Sequence, residues 1–280
     1  MKMFTEEQKA SVPRVIAVTS GKGGTGKTFI TVNLAKAFCQ QGKNVILLDG
    51  DFGLANVHLL LDKKPNHDLE AILSNECSIE DILIPVSERF SMIPGGRGKP
   101  FMAQLTPYQL LGLINAMDDI ATRPDILLLD TAGTISAGEL QLIAAAGEII
   151  MVVTPDMLSL QDAADYIHQL YIHHHIQRFL LIANLTKNHR EENKILEKLH
   201  SMIGFGIDII LKPLGHIPKD ECVIKSSMCK HINPKIFPQS KTIKSIKQMT
   251  EKLCREPIKS FARGGLTFFY EQHITLHKGI

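Results

Sequence analysis

Apolar residues in this chain alternate between two patterns. The first is short unbroken runs: Arg14 to Ser20 (RVIAVTS), Asn44 to Leu48 (NVILL), Phe90 to Pro94 (FSMIP), Asp125 to Asp130 (DILLLD), Glu148 to Thr154 (EIIMVVT), Phe179 to Asn184 (FLLIAN) and Leu214 to Ile217. Their length and β-branched content predict buried strands. The second is recurrence every three or four positions, as in Ile30, Leu34, Ala37 and Phe38. That spacing puts the apolar groups on one helical face. It predicts helices up to about Gln41, over 68–84, over 106–121 with Thr106 as N-cap and Pro107 at the first position, over 159–175 and over 190–203. Strand alternating with helix predicts an α/β fold, a mostly parallel twisted sheet flanked by helices on both faces. The expected organisation is one large domain at 14–258, a flexible leader at 1–13 and a C-terminal tail at 259–280.

One stretch breaks the pattern. Gly21-Lys22-Gly23-Gly24-Thr25-Gly26-Lys27-Thr28 fits G-x-x-x-x-G-K-[ST], the phosphate-binding loop of P-loop nucleoside triphosphatases, and sits between the first strand and the first helix. Glycine lets the backbone curl around an anion, because positive φ costs it little. A helix N-terminus adds free N–H groups and a favourable dipole. On this reading the N–H groups of Gly23, Gly24, Thr25, Gly26, Lys27 and Thr28 cradle the β-phosphate. Lys27 pairs with β- and γ-oxygens, and the Thr28 hydroxyl ligates Mg²⁺. The cofactors implied are ATP or ADP and Mg²⁺.

Composition narrows the setting. The 44% hydrophobic fraction fits a folded chain, and a net charge of +2 gives no global pull toward nucleic acid. Charge is uneven, since residues 219–263 hold eleven Lys/Arg against four Asp/Glu. Such a run is read as solvated helix face, so DNA is not an expected partner. The five cysteines are widely spaced with no C-x-x-C, which argues against an iron–sulfur carrier role or a zinc site and for a reducing cytosol. No signal peptide and no apolar stretch of about 18 residues is present, so a cytoplasmic protein with at most peripheral membrane contact is expected. His173-His174-His175 reads as an exposed helix end.

Ligands of such sheets bind outside the carboxyl ends of the strands. Asp49 and Asp51, Asp130, Pro155, Asn184, and Pro218 with Asp220 all fall there. The apolar run ending in Asp130 is a Walker B pattern.

Lys22 is not required by an ordinary P-loop. K-G-G-T-G-K-T resembles the deviant Walker A motif of the MinD/ParA family of ATPases, and the resemblance spans about residues 14–255. It implies that Lys22 reaches the phosphates bound by a second copy, so that ATP binding and homodimerisation are one event. Asp49-Gly50-Asp51-Phe52-Gly53-Leu54-Ala55-Asn56 resembles the family's first switch, which makes Asp51 the residue that orients the attacking water and places Asp49 nearer the metal. Asp130-Thr131-Ala132-Gly133 resembles the second switch, with Asp130 on Mg²⁺ and the Gly133 N–H on the γ-phosphate. Asn184 matches the asparagine that reads adenine, and Ile217-Pro218-Lys219-Asp220 the loop that packs on the base.

Within the family, D-F-G-L-A-N-V, T-P-D-M-L-S-L-Q-D-A at 154–163 and G-G-L-T-F-F-Y are most similar to the FlhG branch, MinD-like regulators of flagellar number and placement. The resemblance implies slow ATP hydrolysis stimulated by a partner or lipid, an ATP dimer on the inner face of the bacterial membrane, and flagellar partners: a GTPase of the signal-recognition type, a transcription activator or basal-body switch proteins. A DNA-partition ATPase and a division-site regulator are the alternatives. The chain departs from the family at Gly50 (usually Ala), at His58 (usually Asp) and at D-T-A-G-T (usually D-T-G-A-G), which predicts a differently shaped second switch. Glu6-Glu7-Gln8-Lys9-Ala10 keeps only the Gln and Ala of the branch's N-terminal activator motif. In the tail, Leu266, Phe269, Tyr270 and Ile274 would share one helical face with Lys259, Arg263 and Lys278 beside it, a membrane-docking amphipathic helix hinged at Gly264-Gly265.

Overall fold

The computed structural model describes residues 13–96, 102–204, 206–221, 223, 240–257 and 266–269. Glu6–Ala10, Arg97-Gly98, Cys222 and Cys229, the lysines at 225–235, Lys259, Arg263 and Gly264-Gly265, and the tail from Tyr270 onward lie outside them.

Eight strands form one sheet in the order β3-β4-β2-β5-β1-β6-β7-β8. They are β1 Arg14–Thr19, β2 Val45–Gly50, β3 Ile84–Ser87, β4 Phe90–Ile93, β5 Ile126–Thr131, β6 Glu148–Val153, β7 Arg178–Thr186 and β8 Ile210–Pro218. All pairings are parallel except β3 with β4, an antiparallel hairpin at the edge. Both faces of the sheet are covered, so the central strands are buried along their whole length.

Alternate residues of each strand feed two cores. Val15 and Ala17 face one side, Ile16 and Val18 the other. Helix α1 (Lys27–Gln40) and a C-terminal helix, α9 (Lys241–Arg255), cover the second face with Ile30, Leu34, Phe38, Ile246, Met249 and Leu253. Helices α5 (Pro107–Ala116), α6 (Ala137–Ala144), α7 (Met157–His174) and α8 (His189–Ile203) cover the first. The capping box expected at Thr106 is present, with Pro107 at the first position. Gly42 takes φ +80° just beyond α1, the left-handed turn that stops a helix.

The expectation of helix across 68–84 is corrected. That segment holds two short helices, α3 (Leu69–Leu73) and α4 (Ile79–Ile82), and then turns into β3. Ser78 and Asp81 form a capping box that restarts the helix, and Pro85 fits only an edge strand. Residues 106–121 likewise end as helix at Ala116 and continue as a 3₁₀ turn over Met117–Asp119. A single-turn helix, α2 (Val57–Leu60), follows the loop after β2.

The described part of the tail also differs from the helical face expected of it. Leu266 and Thr267 are irregular, Phe268 and Phe269 form a turn with Phe269 at φ +58°, and both phenylalanines are fully buried in the first core. Among the described residues no helix is long and apolar enough to cross a membrane.

Arg14 locks the base of the sheet. Its buried guanidinium makes two bonds to Glu148 on β6, the Nη2–Oε1 one at 2.9 Å, and donates to the Leu253 carbonyl at the end of α9. Breaking a buried pair leaves one charge without compensation, so Arg14→Ala should cost about 3–5 kcal/mol of unfolding free energy in urea titration. A loss below about 1 kcal/mol would show that Glu148 finds water instead.

Candidate functional site

The phosphate loop runs from the end of β1 into α1. Gly24 and Gly26 both take positive φ, +81° and +91°, and Gly26 is the N-cap of α1. A Cβ placed on Gly23 or Gly24 would meet nothing within 4 Å, so the space beside these two glycines is open. The Thr25 Oγ1 is buried with no hydrogen-bond partner. An open cradle with an unpaired hydroxyl and a helix N-terminus suits a phosphate chain.

Lys27 is buried beside the cradle. Burial lowers its pKa, while Asp130, Glu139 and Asp51 pull it back up. Asp130 sits at the end of β5, accepting from the Thr31 hydroxyl at 3.1 Å and from the Thr28 side chain. Burial raises its pKa to about 6, against the hydrogen bonds from Thr28 and Thr31 and the charge of Lys27. Thr28 and Asp130 therefore lie together as a hydroxyl and a charge-starved carboxylate, a donor set that suits Mg²⁺.

Asp49 is fully buried at the end of β2, and desolvation together with the nearby Asp130 holds its pKa well above the ordinary carboxylate range. Its two oxygens accept from the N–H groups of Asp51 (3.3 Å) and Val57 (3.0 Å) and so pin the loop between them. Asp51 is half-exposed and accepts from the Leu54 N–H at 3.0 Å. Gly50 has a physical reason to replace the family's alanine. A Cβ there would lie 2.9 Å from the Asp130 carbonyl oxygen.

The second switch is held by a residue the sequence did not single out. Glu139, buried in the first turn of α6, accepts from the Gly133 N–H at 2.6 Å, from the Thr134 N–H at 3.0 Å and from the Tyr166 hydroxyl at 2.9 Å. Gly133 has φ +77°, and a Cβ on it would lie 2.9 Å from the Lys27 Nζ. The N–H expected to meet a γ-phosphate is thus satisfied by a carboxylate, next to the same lysine.

Lys22 makes an ion pair with Asp156, Nζ to Oδ1 at 2.8 Å. Asp156 is the N-cap of α7 and its pKa is lowered to about 2, chiefly by the bond from Lys22.

The expected adenine contacts converge. Asn184, Pro218 and Asp220 line a cavity of about 300 Å³ with Gly24, Thr25 and Gly26, and Phe29 and Leu60 supply apolar walls. The Asn184 side chain donates to the Thr25 carbonyl at 2.7 Å, so β7 and the phosphate loop are held in register. Asp220 accepts from the Ser240 hydroxyl at 2.6 Å, which closes the cavity against the start of α9.

A family model described as the CobQ/CobB/MinD/ParA nucleotide-binding domain matches residues 16–231. The chain belongs to this family. Like other MinD/ParA members it is a nucleotide-binding ATPase. It is 36% identical over 259 residues to the antiactivator FleN of Pseudomonas aeruginosa, a match covering 92% of each chain. To the flagellum site-determining protein YlxH of Helicobacter pylori it is 27% identical over 237 residues, 84% of this chain and 80% of that one. Among solved structures, the septum site-determining protein MinD of Pyrococcus horikoshii, complexed with Mg-ADP, superimposes with a TM-score of 0.70 at 25% identity, covering 87% of this chain and 97% of that one. Membership in the MinD/ParA family accounts for a phosphate loop that carries two lysines, Lys22 and Lys27, where an ordinary one carries one.

Proposed function

We propose that this ATPase is a switch for flagellar number and placement, a homodimer with ATP that associates peripherally with the inner face of the cell membrane. The observation that carries the reading is the near full-length similarity to the antiactivator FleN. The site supplies the means. ATP lies with its phosphates in the cradle of Gly23 to Thr28 and its base against Asn184, Pro218 and Asp220. Lys27 neutralises the β- and γ-oxygens. Thr28 and Asp130, with Asp49 close by, would hold Mg²⁺, which would spread the remaining phosphate charge. Asp51 orients the attacking water, and phosphoryl transfer needs little more than such positioning and charge neutralisation. The arriving γ-phosphate competes with Glu139 for the Gly133 N–H, which couples nucleotide to the second switch.

Dimerisation follows from the surface around the site. Lys22 exchanges Asp156 for the phosphates of a second copy. Leu54, Ile135, Met157 and Leu158 are large apolar side chains exposed beside the site residues, and a second copy would cover them. Two tails in one dimer bind lipid by avidity where one binds weakly. Phe268 and Phe269 are packed in the core, so these two side chains reach lipid only if the body releases them.

Flagellar partners of the kinds named above are the targets of the dimer. Cells lacking the protein should carry an abnormal number of flagella, counted by electron microscopy; an unchanged number and position would overturn the flagellar assignment. On anionic vesicles, sedimentation should require ATP and be lost in Lys22→Ala and in a chain ending at residue 265. Vesicle binding equal in ADP and ATP would contradict the switch. DNA retention that needs ATP and falls with salt, without vesicle binding, would favour the partition alternative.

A further inference from the structure

A second cluster of polar side chains lies at β8, the edge strand of the sheet. His189 opens helix α8, Glu192 follows three residues later in its first turn, and His216 lies on β8. One ligand atom from each lies within 4.8 Å of the others. The two imidazole rings are stacked, with centroids 5.3 Å apart and an interplanar angle of 11°.

Two details point to an ion. The Glu192 carboxylate is 96% buried, with its side chain 4% exposed, yet its Oε2 has no hydrogen-bond partner. It approaches the His189 Nδ1 to 2.5 Å in a geometry that makes no hydrogen bond. A buried carboxylate left in that condition is costly unless a cation completes it. Second, His216 already holds one ring nitrogen against a protein hydroxyl. Its Nδ1 lies 3.1 Å from the Oγ1 of the buried Thr186. That leaves Nε2 outward, the arrangement in which an outer partner fixes the tautomer of a ligating imidazole.

We propose that His189, Glu192 and His216 form a transition-metal site, with Zn²⁺ the fitting ion. Two imidazoles and one carboxylate are a borderline donor set that suits Zn²⁺ and leaves a fourth position to water. Ligands about 2.1 Å from zinc in a tetrahedral arrangement stand roughly 3.4 Å apart. The 2.5 Å contact must therefore open. His189 is the arm that can move, since its side chain is 74% exposed. The adjoining cavity, about 310 Å³, is also lined by Lys252, whose ammonium is turned onto the Leu214 carbonyl at 3.0 Å. This site is separate from the Mg²⁺ and nucleotide residues and does not depend on the flagellar reading. Its consequence is mechanical: the ion clamps the start of α8 to β8 next to Ile217 and Pro218, which form the wall of the adenine cavity.

The test uses the full chain, stripped with a chelator and returned to buffer containing Mg²⁺. Zn²⁺ is titrated against a chromophoric competitor, and Co²⁺ is used for its ligand-field spectrum. The expected result is one Zn²⁺ per chain, a higher melting temperature with Zn²⁺, and a four-coordinate Co²⁺ spectrum. His189→Ala changes an exposed residue and leaves the fold alone; it and Glu192→Gln should each weaken Zn²⁺ more than the roughly 10–100-fold that loss of an outer partner costs. Changing His173, His174 and His175 together to alanine should leave binding unchanged. The proposal is overturned by the absence of stoichiometric Zn²⁺ binding, by full affinity in His189→Ala, or by loss of binding only in the variant of the three consecutive histidines.

Discussion

Lys27→Ala should abolish ATP turnover and most of ATP binding, while Lys22→Ala should keep binding and lose turnover. Lys27 is buried among Asp130, Glu139 and Asp51, so it is the charge that makes the cradle hospitable to phosphate. Removing one preorganised electrostatic group costs on the order of 100- to 1,000-fold in rate. Here the loss also leaves three carboxylates facing the phosphates, which turns attraction into repulsion. Lys27→Arg should not rescue, because a planar fork replaces a compact ammonium in a space where Gly133 has no room for even a Cβ. Lys22 lies outside this group, on Asp156, and on the proposed reading it contributes only when a second copy arrives. Nucleotide titration by fluorescence and steady-state phosphate release separate the two variants. Equal loss of binding in both would show that Lys22 serves its own subunit.

Asp130→Asn should stabilise the nucleotide-free protein at neutral pH and cripple it as an enzyme. The folded pKa of Asp130, about 6, lies above its ordinary 3.8. The folded state therefore holds this proton more tightly than the unfolded state does. The stability that this proton contributes is full below about pH 4 and is lost as pH rises through about 6. Above that, the folded chain carries the cost of a buried charge. Two units correspond to roughly 3 kcal/mol, so the amide should recover about 1–3 kcal/mol at pH 7.5. At pH 4 the gain should vanish. Turnover should fall on the order of 100-fold, because the neutral amide ligates Mg²⁺ poorly. Urea titration at the two pH values and phosphate release provide the check. No stability gain at pH 7.5 would mean that the Thr28 and Thr31 bonds and Lys27 already offset the desolvation.

Much of this design was legible in the chain because it is local. The first strand, the loop and α1 occupy consecutive residues, and two of the loop's glycines, Gly24 and Gly26, fall where positive φ is used. The strand-end residues Asp49, Asp130, Asn184 and Pro218 could be placed together because a parallel sheet brings carboxyl ends to one edge. What escaped was of two kinds. Helical spacing continued through Ser78 and into Ile84, and periodicity alone cannot register a cap that ends one helix and begins another, or an edge strand that carries a proline. Side-chain partnerships between distant residues leave no spacing to read. Glu139 with Tyr166, Lys22 with Asp156, and His189 with His216 are joined only by the fold. The described stretch of the tail, Leu266 to Phe269, departs from the helical reading for a third reason. Leu266 and Phe269 are spaced as on a helix, but burial of Phe268 and Phe269 in the core selects a turn.

The central claim is that two copies grip ATP together through Lys22. Its most direct test is the mass in solution, by light scattering, of Asp51→Ala, which should bind ATP without consuming it. With Mg-ADP the mass should be that of one chain, and with Mg-ATP that of two, and adding Lys22→Ala should return it to one. A single-chain mass with Mg-ATP, or a dimer that persists without Lys22, would contradict the account.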